Sequence, residues 1–204
     1  MMKLWHCVDA RSFRALWALE ELGLEYELLL LPFPPRWAQP EFLALNPLGT
    51  IPYFEDGAVK LTESAAICQY LADKAERLRI LPGDARYGDY LNFLHQSDAT
   101  LTFPQTLVLR YTRLEKPENR NPKVASDYRR WFVARTVWAE RALADGRTWL
   151  CGDDFTVADI AVAYALLLAG NLGHLGEVGP HLLAYWERCQ AREGFARAKA
   201  AQAA

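Results

Sequence analysis

The residues best placed to do chemistry are Asn46-Pro47-Leu48-Gly49-Thr50-Ile51-Pro52, followed eleven residues later by Glu63-Ser64. A proline that opens a strand cannot donate to the ladder. Its best physical use is a cis Ile51–Pro52 peptide, which presents the Ile51 main chain to an extended peptide pairing with it as an added strand. Glu63-Ser64 opens a helical pattern. Amide donors, the positive dipole end and the Ser64 hydroxyl suit a carboxylate, while the Glu63 carboxylate suits an ammonium. Side by side, these two receptors match the free α-amino-acid end of a small peptide. Taken singly, Ser64 reads as a helix cap and Pro52 as a strand-edge residue; taken together, the spacing favours the ligand.

Other chemistries are poorly supported. Cys7, Cys68, Cys151 and Cys189 form no CxxC pair, and His6, His95, His174 and His181 lack metal-ligand spacing, so neither a zinc site nor a disulfide framework is expected. The formal net charge is −2 and carries no blocks of one sign, which gives no electrostatic reason to expect nucleic acid or an anionic membrane. The longest apolar run, Ile160 to Ala169, is 10 residues, about half of what a bilayer requires. With no secretory pattern at the start, a soluble cytoplasmic protein is expected.

Several elements must position these residues. Lys3 to Cys7 reads as a strand, ended by the polar turn Asp9-Ala10-Arg11. Ser12 is placed to cap a helix whose apolar positions Phe13, Leu16, Trp17, Leu19 and Leu22 run to a stop at Gly23. Tyr26 to Leu31 is a second short strand, followed by a Pro-containing loop and a turn of helix around Glu41 to Leu45. Ile51 to Phe54 and Ala58 to Leu61 form a hairpin about Asp56-Gly57, and a helix runs from Ser64 to about Ala75. The order β-α-β then β-β-α predicts an α/β domain over residues 1–80. Residues 81–87 form a linker.

Residues 88–204 read as an all-helical domain. Its helical patterns run over Tyr87–Thr112 (kinked at Pro104), Val124–Ala144, Thr156–Ala169 and Leu182–Arg192. Thr156-Val157-Ala158-Asp159 has the spacing of a capping box, a structural device. The Ala/Lys-rich tail beyond Phe195 is expected to fray.

Leu19-Glu20-Glu21-Leu22-Gly23-Leu24-Glu25-Tyr26, the Asn46–Pro52 segment, Leu61-Thr62-Glu63-Ser64-Ala65-Ala66-Ile67 and Phe155-Thr156-Val157-Ala158-Asp159-Ile160-Ala161 together resemble the signatures of the glutathione transferase family, of the cytosolic, bacterial-like type. The resemblance spans nearly the whole chain. It implies a thioredoxin-like α/β N-terminal domain, an all-α C-terminal domain, and a homodimer. It also implies glutathione as co-substrate, with no metal, held by Ile51 and Pro52, Glu63 and Ser64. The family's glycine-carboxylate contacts fall on Trp37-Ala38-Gln39 here, where Ala38 replaces the common lysine and Trp37, Gln39 or Arg36 substitutes. Asp98 is implied to approach glutathione on the other subunit. Phe103, Leu107 and Tyr111, with Tyr164 or Leu168, are implied as the pocket for a small hydrophobic electrophile.

One family feature is missing. Members of the family activate the glutathione thiol with Tyr, Ser or Cys in the turn after the first strand, and those positions read Asp9-Ala10 here. An ionised Asp9 beside the sulfur raises the thiol pKa by like-charge repulsion. Three substitutes are available: the Ser12 hydroxyl, which competes with capping; the Arg11 cation; and Cys7, two residues earlier and expected to be an inert strand thiol. The resemblance therefore implies an enzyme conjugating the glutathione thiolate to an electrophile. The alternatives are a glutathione-dependent ligand-binding protein with little catalysis, or a Cys7-dependent thiol reductase.

Overall fold

The computed structural model describes residues 1–203, which divide into two compact units. The first comprises Met1–Arg79 and returns at Gln190; the second is Ile80–Cys189. The expected division placed residues 88–204 in the helical domain, whereas the segment from Gln190 clusters with the first unit.

In the first unit the order is β1 (Met2–His6), α1 (Phe13–Leu22), β2 (Tyr26–Leu30), α2 (Pro35–Ala38), β3 (Tyr53–Asp56), β4 (Val59–Leu61) and α3 (Ser64–Ala75). The sheet order is β2-β1-β3-β4. β1 and β2 are parallel, pairing Leu4 with Leu28, while β3 runs antiparallel to β1, pairing Phe54 with Leu4. β3 begins at Tyr53, two residues later than the apolar run suggested, because Pro52 has no N–H for the ladder.

Helix α1 is buried along nearly its whole length, so it needs cover on more than one face. It packs on α3 on one side and on the last helix, α10 (Glu193–Ala201), on another. Gly23 ends α1 in the left-handed conformation (φ 66°), donating to Glu20 while Leu24 N–H reaches Leu19.

The second unit contains α4 (Tyr87–Gln96), α5 (Phe103–Leu109), α6 (Pro122–Arg135), α7 (Val137–Leu143), α8 (Val157–Leu172) and most of α9 (Pro180–Gln190). Between α4 and α5, Ser97–Thr102 is π-helical. The π turn lies where Pro104 cannot donate to the carbonyl four residues earlier, which is the expected kink. Helix α8 is buried without a break from Val157 to Ala169 and forms the unit's core. No helix among the described residues is long and apolar enough to cross a membrane.

Helix α10 (Glu193–Ala201) does not fray, contrary to the expectation from composition. Phe195 lies edge-on to Phe13 at 5.5 Å and to Trp17 at 5.0 Å between ring centroids. The Arg192 guanidinium makes two bonds to Glu21, at 2.8 and 2.9 Å, and Trp17 Nε1 donates to the same carboxylate at 2.9 Å. Two aromatic contacts and a bidentate ion pair outweigh weak local propensity.

Candidate functional site

The Asn46–Pro52 segment is built by its own side chains. Asn46, buried, donates through Nδ2 to the Thr50 carbonyl at 2.8 Å and accepts from Leu48 N–H at 3.1 Å, closing the loop on itself. Gly49 is required twice over: its φ is +60°, and a Cβ there would meet Arg36 Cβ at 2.8 Å and Leu43 Cδ2 at 2.9 Å. This loop delivers Ile51 to a cis peptide bond with Pro52, as expected. Among the described residues, none bonds to the Ile51 N–H or C=O. Both groups are obligatory hydrogen-bonding partners, so they are open to an extended peptide.

The Ile51 side chain packs with Cys7, Phe42 and Tyr53 in one buried cluster, against which Ala10 and Trp5 lie. That cluster brings the turn after β1 to the side of the Ile51–Pro52 bend.

At the start of α3 the residue in the capping position is Glu63, extended and exposed, with no side-chain cap bond. Ser64, in the first helical position, therefore does not cap. Its Oγ accepts a bond from Arg14 Nη1 at 2.9 Å, and both side chains are buried. The hydroxyl hydrogen is then available to a second partner, and the first amides of α3 have no acceptor within the helix. Arg14 was not singled out from sequence. The available signal was a charged residue inside the apolar stripe of α1.

Trp37 is 62% exposed, with Arg36 stacked over its ring at 4.5 Å, and its indole N–H bonds to no described residue. Gln39 is partly exposed between α2 and the following turn. Both are free to meet an anion.

The turn after β1 changes the list of thiol-activating groups. Ser12 is fully buried; its Oγ accepts from Cys7 N–H at 3.3 Å and donates to the Cys7 carbonyl at 3.4 Å. It neither caps α1 through its side chain nor faces solvent, so the expected hydroxyl substitute is removed. The Cys7 thiol is buried against the Pro32 carbonyl, and desolvation pushes its pKa up to about 12. A thiol held neutral in this way is a poor nucleophile near neutral pH. Arg11 remains, partly exposed and in no ion pair with a described residue.

Asp9 does not stand as an isolated charge. Its Oδ1 accepts from Lys199 Nζ at 2.7 Å and from Gln202 Nε2 at 2.6 Å, both from the end of the chain that α10 carries back. Sequence reading missed Lys199 and Gln202 because nothing local marks a contact across some 190 residues.

In the second unit, Asp98 is partly exposed in the π-helical turn. Phe103 is 56% exposed, and Leu107 and Tyr111 follow at four-residue spacing, partly exposed. Tyr164 and Leu168, expected as pocket walls, are buried in the continuous core of α8. The capping box is present: Thr156 and Asp159 bond reciprocally. A cleft of about 480 Å³ in this unit is lined by Arg86, Asp89, Arg147 and Cys151 among others. Its arginines are paired with Asp84, Asp154 and Asp145, and it contains none of the expected site residues. No group of His, Cys, Asp and Glu that could hold a metal is present among the described residues.

Two family models match. "Glutathione S-transferase, N-terminal domain" covers residues 1–73, and "Glutathione S-transferase, C-terminal domain" covers 137–188. The chain is 31% identical over 193 residues to Glutathione S-transferase 3 of Zea mays, across 90% of this chain and 86% of that protein. It is 30% identical over 210 residues to Glutathione S-transferase GstA of Escherichia coli O157:H7, across 94% of each. A solved glutathione transferase from Methylococcus capsulatus superposes with a TM-score of 0.84 at 27% identity, covering 100% of this chain and 99% of that one.

Proposed function

Since the chain belongs to the glutathione transferase family, we propose that it binds glutathione on its first unit and transfers the thiolate to a small apolar electrophile, working as a homodimer. Glutathione supplies the nucleophile: its sulfur forms a C–S bond as the electrophile's leaving group departs, and the thiol proton goes to solvent. The protein's residues hold and orient it.

The observation that carries this reading is the Arg14–Ser64 bond. A hydroxyl that accepts from a buried guanidinium is oriented to donate its own hydrogen, and the cation behind it makes the position favourable for a carboxylate. The first amides of α3 point the same way. Exposed Glu63 receives the ammonium beside it. The open Ile51 N–H and C=O hold the peptide's main chain, Trp37 and Gln39 receive its far carboxylate, and Asp98 serves the partner's ligand. Phe103, Leu107 and Tyr111 offer the apolar surface for the electrophile. Catalysis then comes from proximity and from stabilising the thiolate, for which Arg11 is the charged group in the turn.

Ser64→Ala is expected to weaken glutathione binding by roughly 1.5–3 kcal/mol, the range for a hydrogen bond to a charged group. Calorimetry on a folded variant checks it, and unchanged affinity would remove this site. A second reading, glutathione-dependent ligand binding with little turnover, is favoured by one observation: the turn offers no exposed hydroxyl or thiol, because Ser12 and Cys7 are both buried. Turnover of an aryl halide separates the two.

A further inference from the structure

The turn that replaces the family's hydroxyl with Asp9 is held by a part of the chain that lies almost two hundred residues away. Asp9 is in the left-handed region (φ 53°), a conformation that costs a non-glycine residue energy unless its surroundings enforce it. The enforcing groups are specific. Gln202 is 4% exposed and grips Asp9 at both ends of its own amide: Oε1 accepts from Asp9 N–H at 3.1 Å, and Nε2 donates to Asp9 Oδ1 at 2.6 Å. A carboxylate only accepts, so the Gln202 amide has one possible orientation. Its Oε1 then requires a donor from His6 at 3.0 Å, and His6 carries its proton on Nε2. Lys199 completes the set, 2.7 Å from Asp9 Oδ1 with its ammonium 5.7 Å from the Phe13 ring. None of this geometry depends on the network alone, because Phe195 and the Arg192–Glu21 pair dock α10 independently.

We propose that Lys199 and Gln202 are positioning residues for thiolate formation: they tie up and neutralise the Asp9 carboxylate, so that this turn stabilises a bound thiolate instead of repelling it. The proposal rests on the glutathione-binding reading above. Lys199 on α10 faces Asp9 directly and His6 on β1 feels its charge, while Cys7 and Arg11 lie in the same turn. Burial lowers His6 to about 4 and raises Cys7 to about 12, so both are neutral at ordinary pH. Asp9 and Lys199 then cancel, and Arg11 leaves the turn with a net positive charge. Without Lys199 that surplus vanishes and an uncompensated carboxylate stands beside the sulfur. A single charge at several ångströms in a partly solvated site is enough to move a thiol by about one pH unit.

The test uses the full chain with glutathione bound, titrating thiolate by its ultraviolet absorbance while calorimetry follows affinity. Lys199→Gln is expected to raise the bound thiol's pKa by about one unit, a roughly tenfold loss of thiolate near neutral pH that is recovered in base, with affinity changed less than about twofold. Lys199→Arg should keep the parent value, and Asp9→Asn should lower it. The double variant Asp9→Asn/Lys199→Gln should return close to the parent, because the charge that Lys199 offsets is gone. Glutathione that binds with the same thiol pKa in parent, Lys199→Gln and Asp9→Asn overturns the proposal, as does a double variant that keeps the full rise. Absence of glutathione binding by the parent overturns the reading beneath it and this proposal with it.

Discussion

Asp9 and Asp159 are both aspartates whose oxygens collect donors, yet they sit in opposite electrostatic circumstances. Asp159 is fully buried at the start of α8 and accepts from Leu150 N–H and Thr156 N–H, each at 2.9 Å, and from the Thr156 and Tyr185 hydroxyls, each at 3.2 Å. All four donors are neutral, and burial pushes its carboxyl up to about 6. Asp9 is partly exposed and has a lysine as well as an amide. Neutral donors fix the chain's path while leaving the charge expensive. A cation makes the charge cheap, so the surrounding turn is free to serve chemistry. The first network is an anchor, and the second adjusts the field around an open turn.

The largest expected effect follows from that contrast. Asp159→Ala leaves two buried N–H groups unpaired and should lower the unfolding free energy by about 3 kcal/mol. Asp9→Ala loses a partly solvated Lys199 contact and one bond from the buried Gln202 amide, and should cost about 1.5 kcal/mol. Urea denaturation of the two variants measures both. Equal losses would abolish the distinction between anchor and adjustable turn.

A pH comparison sharpens it further. His6, beside Asp9, has its folded pKa lowered from 6.5 to about 4. Between those values the unfolded chain binds the extra proton, so this group's contribution falls as pH drops through that window. Asp159 has its folded pKa raised from 3.8 to about 6. There the folded chain binds the extra proton, and its contribution falls as pH rises through 3.8 to 6. Each is on the order of 3 kcal/mol, so the two oppose one another between pH 4 and 6. His6→Asn should therefore make stability fall more steeply as pH rises from 4 to 6, relative to the parent. Asp159→Asn should make it fall more steeply as pH drops. Variants with parallel profiles would mean the two networks titrate alike.

The same pair of regions shows what a sequence can reveal. Thr156 and Asp159 lie three residues apart, so local spacing alone predicted the capping box; the Asn46–Thr50 loop closure is as local but is seen only in the structure. The helix stop at Gly23 and the order of strands and helices along the first unit were likewise legible, because apolar period and turn chemistry are local properties. Ser12 had the right type and place to cap α1. It turned inward because the Cys7 backbone inside the turn offered it both a donor and an acceptor. The tail after Gln190 carried only weak helical composition, and its order comes from Phe195, Arg192 and Gln202 meeting partners in the first 21 residues. The Arg14–Ser64 bond spans 50 residues and left no trace beyond one charged residue in an apolar stripe.

The smallest expected effect lies within the turn itself, between two residues that are neighbours in sequence. The two Ser12 hydrogen bonds to Cys7, at 3.3 and 3.4 Å, are long, so Ser12→Ala should reduce stability by only about 0.5–1 kcal/mol. Its hydroxyl is sealed from solvent, so the pKa of bound glutathione should not move. Arg11→Ala should do the reverse: little change in stability, since long exposed cations contribute little to folding, but a higher thiol pKa, since the net positive charge of the turn disappears. Denaturation and ultraviolet titration on the two variants give four readings whose pattern is crossed. A thiol pKa that rises in Ser12→Ala and stays fixed in Arg11→Ala would reinstate the hydroxyl. It would require the turn to open, exposing Ser12, when glutathione binds.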